Sequence, residues 1–453
     1  MSRSSLLALL LASATPVAAE DLVQVFRDGQ RYDATFAAAR NNLAAGRERL
    51  PQGRALLLPT LNLSANAASN RLDVDSKDPT VSPSFLRSPS TSGYTLTLTQ
   101  PIFRAQNWMQ YQQGEFQVRQ AEATFGQASQ DLIVRVSQAY FDVLGQYDTL
   151  ILVRAQKAAT SEQLAQAKRN FEVGTATITD THEAQARYDL IAAQEIAAQN
   201  DLQGRRRQLQ LIAGKEYTEL KQLRGDIKLT PPNPENVETW AEFAEKQSYP
   251  VLIGEAAAEV AALEAKRASA GHLPTLDFVA TYGQTGETAT ATSPIGRDTT
   301  ASTVGVQLAL PIFQGGSVSS REREAAALYQ RARDDLDNAR RTAVLTARQL
   351  YLSTLSGISQ VAALEQAKVS SQSALDSNKL GYEVGIRINI DVLNAQQQLY
   401  STERDLALAR YNTILNNLRL KAAAGTLREE DLEEINRALS QERGASRPPD
   451  GAR

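Results

Sequence analysis

The chain has 453 residues, a formal net charge of −3, 22% charged residues of both signs, 6% aromatics and no cysteine. This balance offers no basic face for nucleic acid. The absence of thiols excludes disulfides, a thiolate metal site, a cysteine nucleophile and a lipid anchor on an N-terminal cysteine.

The first residues, MSRSSLLALLLASATPVAA, carry Arg3, a short apolar run from Leu6 to Ala12, and small residues Val17 and Ala19 before Glu20. This predicts a secretory signal peptide over 1–19, too short to span a membrane. A buried first helix is the other reading of these residues. No later stretch holds about 18 consecutive apolar residues, so an exported chain either stays soluble or enters a membrane as a β-barrel.

From Glu20 onward the chain reads as two tandem repeats, 20–225 and 226–437, and a polar tail over 438–453 expected to be disordered. In the first repeat a helical segment leads to LPTL at Leu58–Leu61, which opens an alternating run. Strands are expected at about 59–71 and 92–101, separated by a loop rich in Ser, Thr and Pro. Period-two alternation is the strand signal, and YTLTLT sets Tyr and Leu on one face and Thr on the other. Each strand has a length suited to a tilted bilayer crossing, with a water-soluble hairpin as the competing reading. Pro101 marks the joint between strand and helix, since proline donates nothing to a sheet ladder and suits a helix start. A helical hairpin is predicted over about 104–213. Its first helix runs to Phe171, with Gly114, Gly126 and Gly145 as candidate bends. FEVGTATITD at Phe171–Asp180 then reverses the chain, with Gly174 past the helix end and Asp180 near the next start.

The second repeat follows the same order. LPTL returns at Leu273–Leu276, and strands are expected at about 274–284 and 302–311, ending at Pro311. A second hairpin follows over about 317–424, with a seam at Leu328, Ala332, Leu336, Ala339, Ala343, Ala347 and Leu350. YEVGIRINID at Tyr382–Asp391 repeats the turn, with Gly385 and Asp391 in the places of Gly174 and Asp180. ARYNTILNNLRLKAAAGTL, Ala409–Leu427, closes the repeat. One chain thus offers four strands, fewer than the eight of small membrane barrels, so copies must join around an axis; three would give twelve strands.

The paired LPTL, QPIF/LPIF and FEVGTATITD/YEVGIRINID segments, with Ala409–Leu427, resemble the TolC family of outer membrane efflux proteins over nearly all of the expected mature chain. The resemblance implies a mainly α fold with a membrane β-barrel: a homotrimer whose twelve-stranded barrel continues into a periplasmic helical barrel of coiled-coil hairpins. Segments such as 219–245 and the C-terminal part would build a mixed region beside it. It implies a passive export duct in the Gram-negative outer membrane, working with a periplasmic adaptor and an inner-membrane pump of ABC or RND type. The cargo would be drugs, toxic small molecules or unfolded polypeptides. The resemblance places the periplasmic entrance, opened by an iris-like motion, at the hairpin tips. There Thr179 and Asp180 match partners in the resting lock, and Tyr382 and Arg387 match the groups that reach them. Asp391 matches an acidic ring. Asn394 stands where the family pattern has a second acidic residue, which implies a weaker ring. The tips around Gly174 and Gly385 are the implied adaptor contact. Read without the resemblance, Asp180 and Asp391 are also ordinary helix caps, Arg387 a solvated residue and Tyr382 a packing residue.

No motif for catalysis or a cofactor stands out. His182 and His272 are far apart and lack neighbouring ligand patterns, and Arg205–Arg207 is too short a basic run to bind nucleic acid. No enzymatic activity, cofactor or metal is therefore expected. The rival from another class is a structural periplasmic coiled-coil adaptor.

Overall fold

A computed structural model describes residues 20–78, 80, 84–225, 227–288 and 295–440. The expected signal peptide at 1–19, the tail beyond 440 and parts of both strand-connecting loops lie outside the described residues. In chain order the elements are α1 (Leu22–Tyr32), α2 (Ala34–Arg47), α3 (Arg49–Ala55), β1 (Thr60–Ser69), β2 (Leu72–Val74), β3 (Phe85–Arg87), β4 (Ser90–Phe103), α4 (Ala105–Glu172), α5 (Ile178–Ala213), β5 (Gln222–Leu223), α6 (Val237–Gln247), α7 (Tyr249–Ser269), β6 (Thr275–Glu287), β7 (Arg297–Ala309), α8 (Ser317–Glu383), α9 (Asn389–Ala423), α10 (Glu429–Arg437) and β8 (Leu439–Ser440). The chain is mainly helical, with one four-stranded antiparallel sheet to which both repeats contribute, as the alternation and the resemblance indicate.

Two compact units divide the chain, and they are not the two repeats. One comprises 1–39, 126–248 and 342–453, and the other 40–125 and 249–341. Each repeat contributes to both.

The second unit holds the sheet, in the order β1-β4-β6-β7. Its register sorts the side chains cleanly. Leu61 and Leu63 lie opposite Leu98 and Leu96, Leu96 opposite Tyr282, and Phe278 opposite Val306. Directly opposed residues share a face, so these form one apolar surface. The other face carries Asn62 opposite Thr97, Thr97 opposite Thr281, and Thr281 opposite Thr303. Asp277 on that polar face receives a bidentate ion pair from Arg104, at 2.8 and 2.6 Å, which ties the start of α4 to β6.

Pro101 does not end its strand. β4 continues to Phe103 with a register irregularity between the two. Pairing with β1 stops at Thr99, so beyond it β4 has β6 alone as partner and a residue without an N–H is tolerated. Pro311 does lie past the end of β7. The glycines of α4 are not breaks either, for the helix is continuous from Ala105 to Glu172. A Cβ at Gly114 would stand 2.9 Å from the Arg49 carbonyl oxygen, and one at Gly145 would stand 2.9 Å from the Leu408 side chain. Both glycines serve close packing.

In the first unit, Phe141 stacks on Tyr411 with centroids 5.4 Å apart, and Tyr140 meets Phe141 edge-on. The Tyr411 hydroxyl donates to buried Asp148 at 2.8 Å, and the Tyr140 hydroxyl donates to the Lys221 carbonyl at 2.7 Å. Burial pushes the Tyr140 hydroxyl far above the usual phenol range. α9 carries a seam at spacings of three, four and seven, with Leu399, Thr402, Leu406, Ala409, Thr413 and Leu420 buried. A tail is expected from 438, but residues 439 and 440 are structured. Leu439 is buried, and β8 pairs with β5 through Gln222–Ser440 and Leu223–Leu439. Strand pairing across the segment 219–245 was invisible because two-residue strands carry no period.

Asp33 ties α1, α2 and α4 together. Its carboxylate accepts from the Phe36 N–H at 2.7 Å, capping α2, and pairs with Arg135 at 2.9 and 3.0 Å. The Arg135 hydrogen bonds, helped by the Phe36 N–H and opposed by burial, hold the Asp33 carboxyl below its ordinary range. A lowered carboxyl pKa stabilises the fold above the unfolded value, and that contribution is lost as pH falls through the folded value. Arg135 is partly exposed, so Arg135→Ala is expected to cost about 2 kcal/mol at pH 7, below the figure for a fully buried pair. Thermal unfolding in detergent checks this: the gap between variant and parent should narrow as pH falls below the ordinary carboxyl range, through the lowered folded-state value of Asp33.

Candidate functional site at the helix-hairpin tips

The two turns fold alike. α4 and α8 each end in a glycine at φ +79°, Gly174 and Gly385, and nothing lies within 4 Å of a Cβ placed there. The left-handed backbone, not a lack of room, therefore demands glycine. Beyond each glycine one amide reaches back five residues: Thr175 N–H to the Asn170 carbonyl and Ile386 N–H to the Gly381 carbonyl, both at 2.8 Å. This six-to-one closure satisfies carbonyls left over at the helix end.

The starts of the following helices differ. Thr177 caps α5 in a capping box. Its hydroxyl oxygen accepts from the Asp180 N–H at 3.3 Å, and the Asp180 carboxylate accepts from the Thr177 N–H and hydroxyl, both at 2.9 Å. The equivalent of Thr177 in the second repeat is Ile388, which makes no side-chain cap. Asp391, the counterpart of Asp180, is thereby free of a box and pairs with Arg387 at 3.7 Å. Arg387 fits because residue 381 is glycine: a Cβ there would stand 2.7 Å from Arg387 Cγ.

The structure brings the expected residues together only in part. Tyr382 is half-buried, packs on Leu375, Val392 and Leu399, and its hydroxyl oxygen accepts from Asn170 Nδ2 at 3.1 Å. Asn394 is exposed and accepts from Arg187 Nη2 at 3.0 Å; the same guanidinium also binds the Gln397 side chain. Leu393 packs on Leu164, Ala167 and Ala184, so the two hairpins touch along an apolar strip as well. Thr179 is exposed. Among the described residues, no ion pair or hydrogen bond within the chain joins Arg387 to Thr179 or Asp180.

Sequence reasoning missed Thr177, Asn170, Arg187 and Asn389. The cap could have been found, since Thr177 and Asp180 have the spacing of a capping box. Asn170 and Arg187 carry no signal, because their partners lie in the other repeat. Asn389 opens α9 at 1% exposure, and neither of its amide atoms has a partner in the chain. Its counterpart, Ile178, is exposed. A buried amide without partners costs about 1–3 kcal/mol, so Asn389 is a poorly satisfied residue at the tip.

Among the described residues no group of His, Cys, Asp or Glu is placed to hold a metal, and no helix is long and apolar enough to cross a membrane. His272 lies 3.8 Å from Glu322, while His182 is exposed on α5.

The model of the family described as Outer membrane efflux protein matches residues 31–215 and 250–426. The chain belongs to this family. It is 34% identical to outer membrane protein TolC of Vibrio cholerae, over 93% of this chain and 94% of that protein. It is 32% identical to the proteases secretion protein PrtF of Dickeya chrysanthemi, over 89% and 88%. Among solved structures it resembles the outer membrane protein VceC of Vibrio cholerae, with a TM-score of 0.75 and 20% identity over 89% of this chain and 96% of that one. The chain is thus an outer membrane efflux channel of the TolC family from a Gram-negative bacterium, a transporter and not an enzyme. The adaptor reading falls with this match.

The unequal caps of this family member have a measurable consequence. Thr177→Val is expected to cost about 1 kcal/mol and to speed amide exchange in the first turn of α5. Ile388→Thr should instead slow exchange at the start of α9 by giving Asp391 a box partner. Hydrogen exchange read by mass spectrometry over both tips checks the pair.

Proposed function

We propose that three copies of this channel assemble around one axis, closing a twelve-stranded barrel in the outer membrane and a helical tube in the periplasm. The observation that carries this reading is the sheet itself. It has an apolar face, a polar face and two open edges, β1 and β7, in a chain whose family works in a membrane. Unpaired strand edges are not tolerated in hydrocarbon, and four strands are too few to close on themselves. On this reading repeats 20–225 and 226–437 contribute equally around the ring.

The hairpin tips form the periplasmic entrance, closed at rest. Within one chain the resting contacts are Asn170–Tyr382 and Arg187–Asn394. Arg387 holds its own Asp391 loosely, at 3.7 Å, and has donors to spare. It reaches Thr179 or Asp180 of a neighbouring copy, which explains why no such pair forms inside the chain. Asp391 lines the narrowest ring, with Asn394 replacing a second acidic ring. Exposed Val173, Val384 and Ile386 around Gly174 and Gly385 supply an apolar seat for a periplasmic adaptor, which couples the duct to an inner-membrane pump of ABC or RND type. The two protease secretion proteins among the relatives, PrtF and AprF, support unfolded polypeptides as one cargo, beside the toxic small molecules of efflux systems.

Native electrophoresis of detergent-extracted outer membranes should show a trimer; a monomer sinks the reading. In planar bilayers Arg387→Ser or Asp180→Ala is expected to raise single-channel conductance, and unchanged conductance in both removes them from the lock. Asn394→Asp is expected to deepen block by multivalent cations, read as current loss on titrating a trivalent cation.

A further inference from the structure

The barrel reading requires β7 of one copy to meet β1 of the next, and the inference below rests on that reading. It concerns how the two strands align. LPTL at 58–61 recurs at 273–276, so the first strand of repeat one maps onto that of repeat two by adding 215 (58 + 215 = 273). PIF at 101–103 recurs at 311–313, so the second strand maps by adding 210 (101 + 210 = 311). The two hairpins obey this map residue by residue. Thr60 faces Thr99 and Ser69 faces Ser90 in the first; Thr275 faces Ala309 and Gln284 faces Thr300 in the second. The remaining contact, β4 with β6, joins repeat one to repeat two. Its counterpart under the map joins β7 to β1 of a second copy.

We propose that this seam pairs Val306 with Ala67 of the second copy and Gln307 with Asn66 of the second copy. The template is Leu96 opposite Tyr282 and Thr97 opposite Thr281. Adding 210 to the first of each and subtracting 215 from the other gives the seam. The same register sets Leu308 against Ala65 and Leu310 against Leu63, apolar against apolar on one face. It sets Gln307 against Asn66 on the polar face. A slip of one residue would turn either strand's apolar set to the wrong side.

An unused segment supports the alignment. In repeat one the chain stays in strand to Phe103 because β6 lies beside it, with Phe103 opposite Leu276. In repeat two the equivalent segment, Leu310–Phe313, follows the end of β7 with no strand beside it. Ile312 and Phe313 are 91% and 87% exposed, against 55% and 48% for Ile102 and Phe103. The seam lengthens β7 to Phe313, opposite Leu61 of the second copy. The joint there is uncharged: the places of Arg104 and Asp277 fall to Gln314 and to Asn62 of the second copy.

Within one chain β1 and β7 are separated by three strand spacings, about 14 Å, which no disulfide bridges. The chain has no cysteine, so the background is clean. The test oxidises four double variants in outer membrane fractions and reads linked oligomers on non-reducing gels. Asn66→Cys/Gln307→Cys and Ala67→Cys/Val306→Cys sample the two faces, one of which is the closer, non-hydrogen-bonded face. Ser64→Cys/Gln307→Cys and Ala68→Cys/Gln307→Cys sample slips of two residues that keep the face. Strong linkage is expected in at least one of the first pair, well above both controls. Linkage strongest through position 64 or 68, or absent from all four while native gels show an oligomer, overturns the register and leaves the barrel reading standing. A monomeric parent on native gels overturns the barrel reading and the seam together.

Discussion

A backbone amide in hydrocarbon must find its partner within the protein. That constraint shapes this chain more than any side-chain contact. A four-stranded sheet with one apolar face satisfies its two inner strands and leaves β1 and β7 with one free edge each. In the trimer proposed above, a neighbour completes each of these two sheet edges, and the polar face, lined with Thr, Ser and Asn, walls a water-filled space. Placing Asp277 there is consistent. A carboxylate on the lipid face would be costly, whereas on the polar face it accepts both guanidinium bonds of Arg104 and fixes where strand gives way to helix.

Duplication supplies the second theme. Both tips need a glycine at positive φ and both use the same six-to-one closure, so the backbone solution is shared. The side chains divide the labour. Thr177 completes a cap and engages Asp180 locally, while Ile388 leaves Asp391 available to Arg387. A residue engaged in a cap is held in one place; a carboxylate released from capping can answer to a charge on another surface. The difference in how the two carboxylates are held thus comes down to one hydroxyl.

Much of the architecture is legible in the sequence. The alternation in YTLTLT states a face, and the spacing of Leu399, Leu406, Ala409 and Thr413 states a buried helical seam; both patterns are local and periodic. Pro101 misled because its effect depends on how many partners β4 has past Thr99, which is a property of the sheet. Gly114 and Gly145 misled because a glycine that breaks a helix and one that admits a neighbour look alike in sequence. At the tips, capping residues and glycines were readable from spacing. Asn170 and Arg187 were not, since each acts on a residue more than 200 positions away.

Gly381 and Arg387 constrain how such a turn can change over time. Repeat one carries Asn170 at the place of Gly381, and a Cβ at Gly381 would stand 2.7 Å from Arg387 Cγ. The arginine can occupy its present path only after the glycine is in place. Once it is there, any larger residue at 381 must first displace it. The two positions therefore form an ordered pair of substitutions: in either direction glycine must stand at 381 for as long as Arg387 holds this path, so a change at one position of the turn is tied to the other.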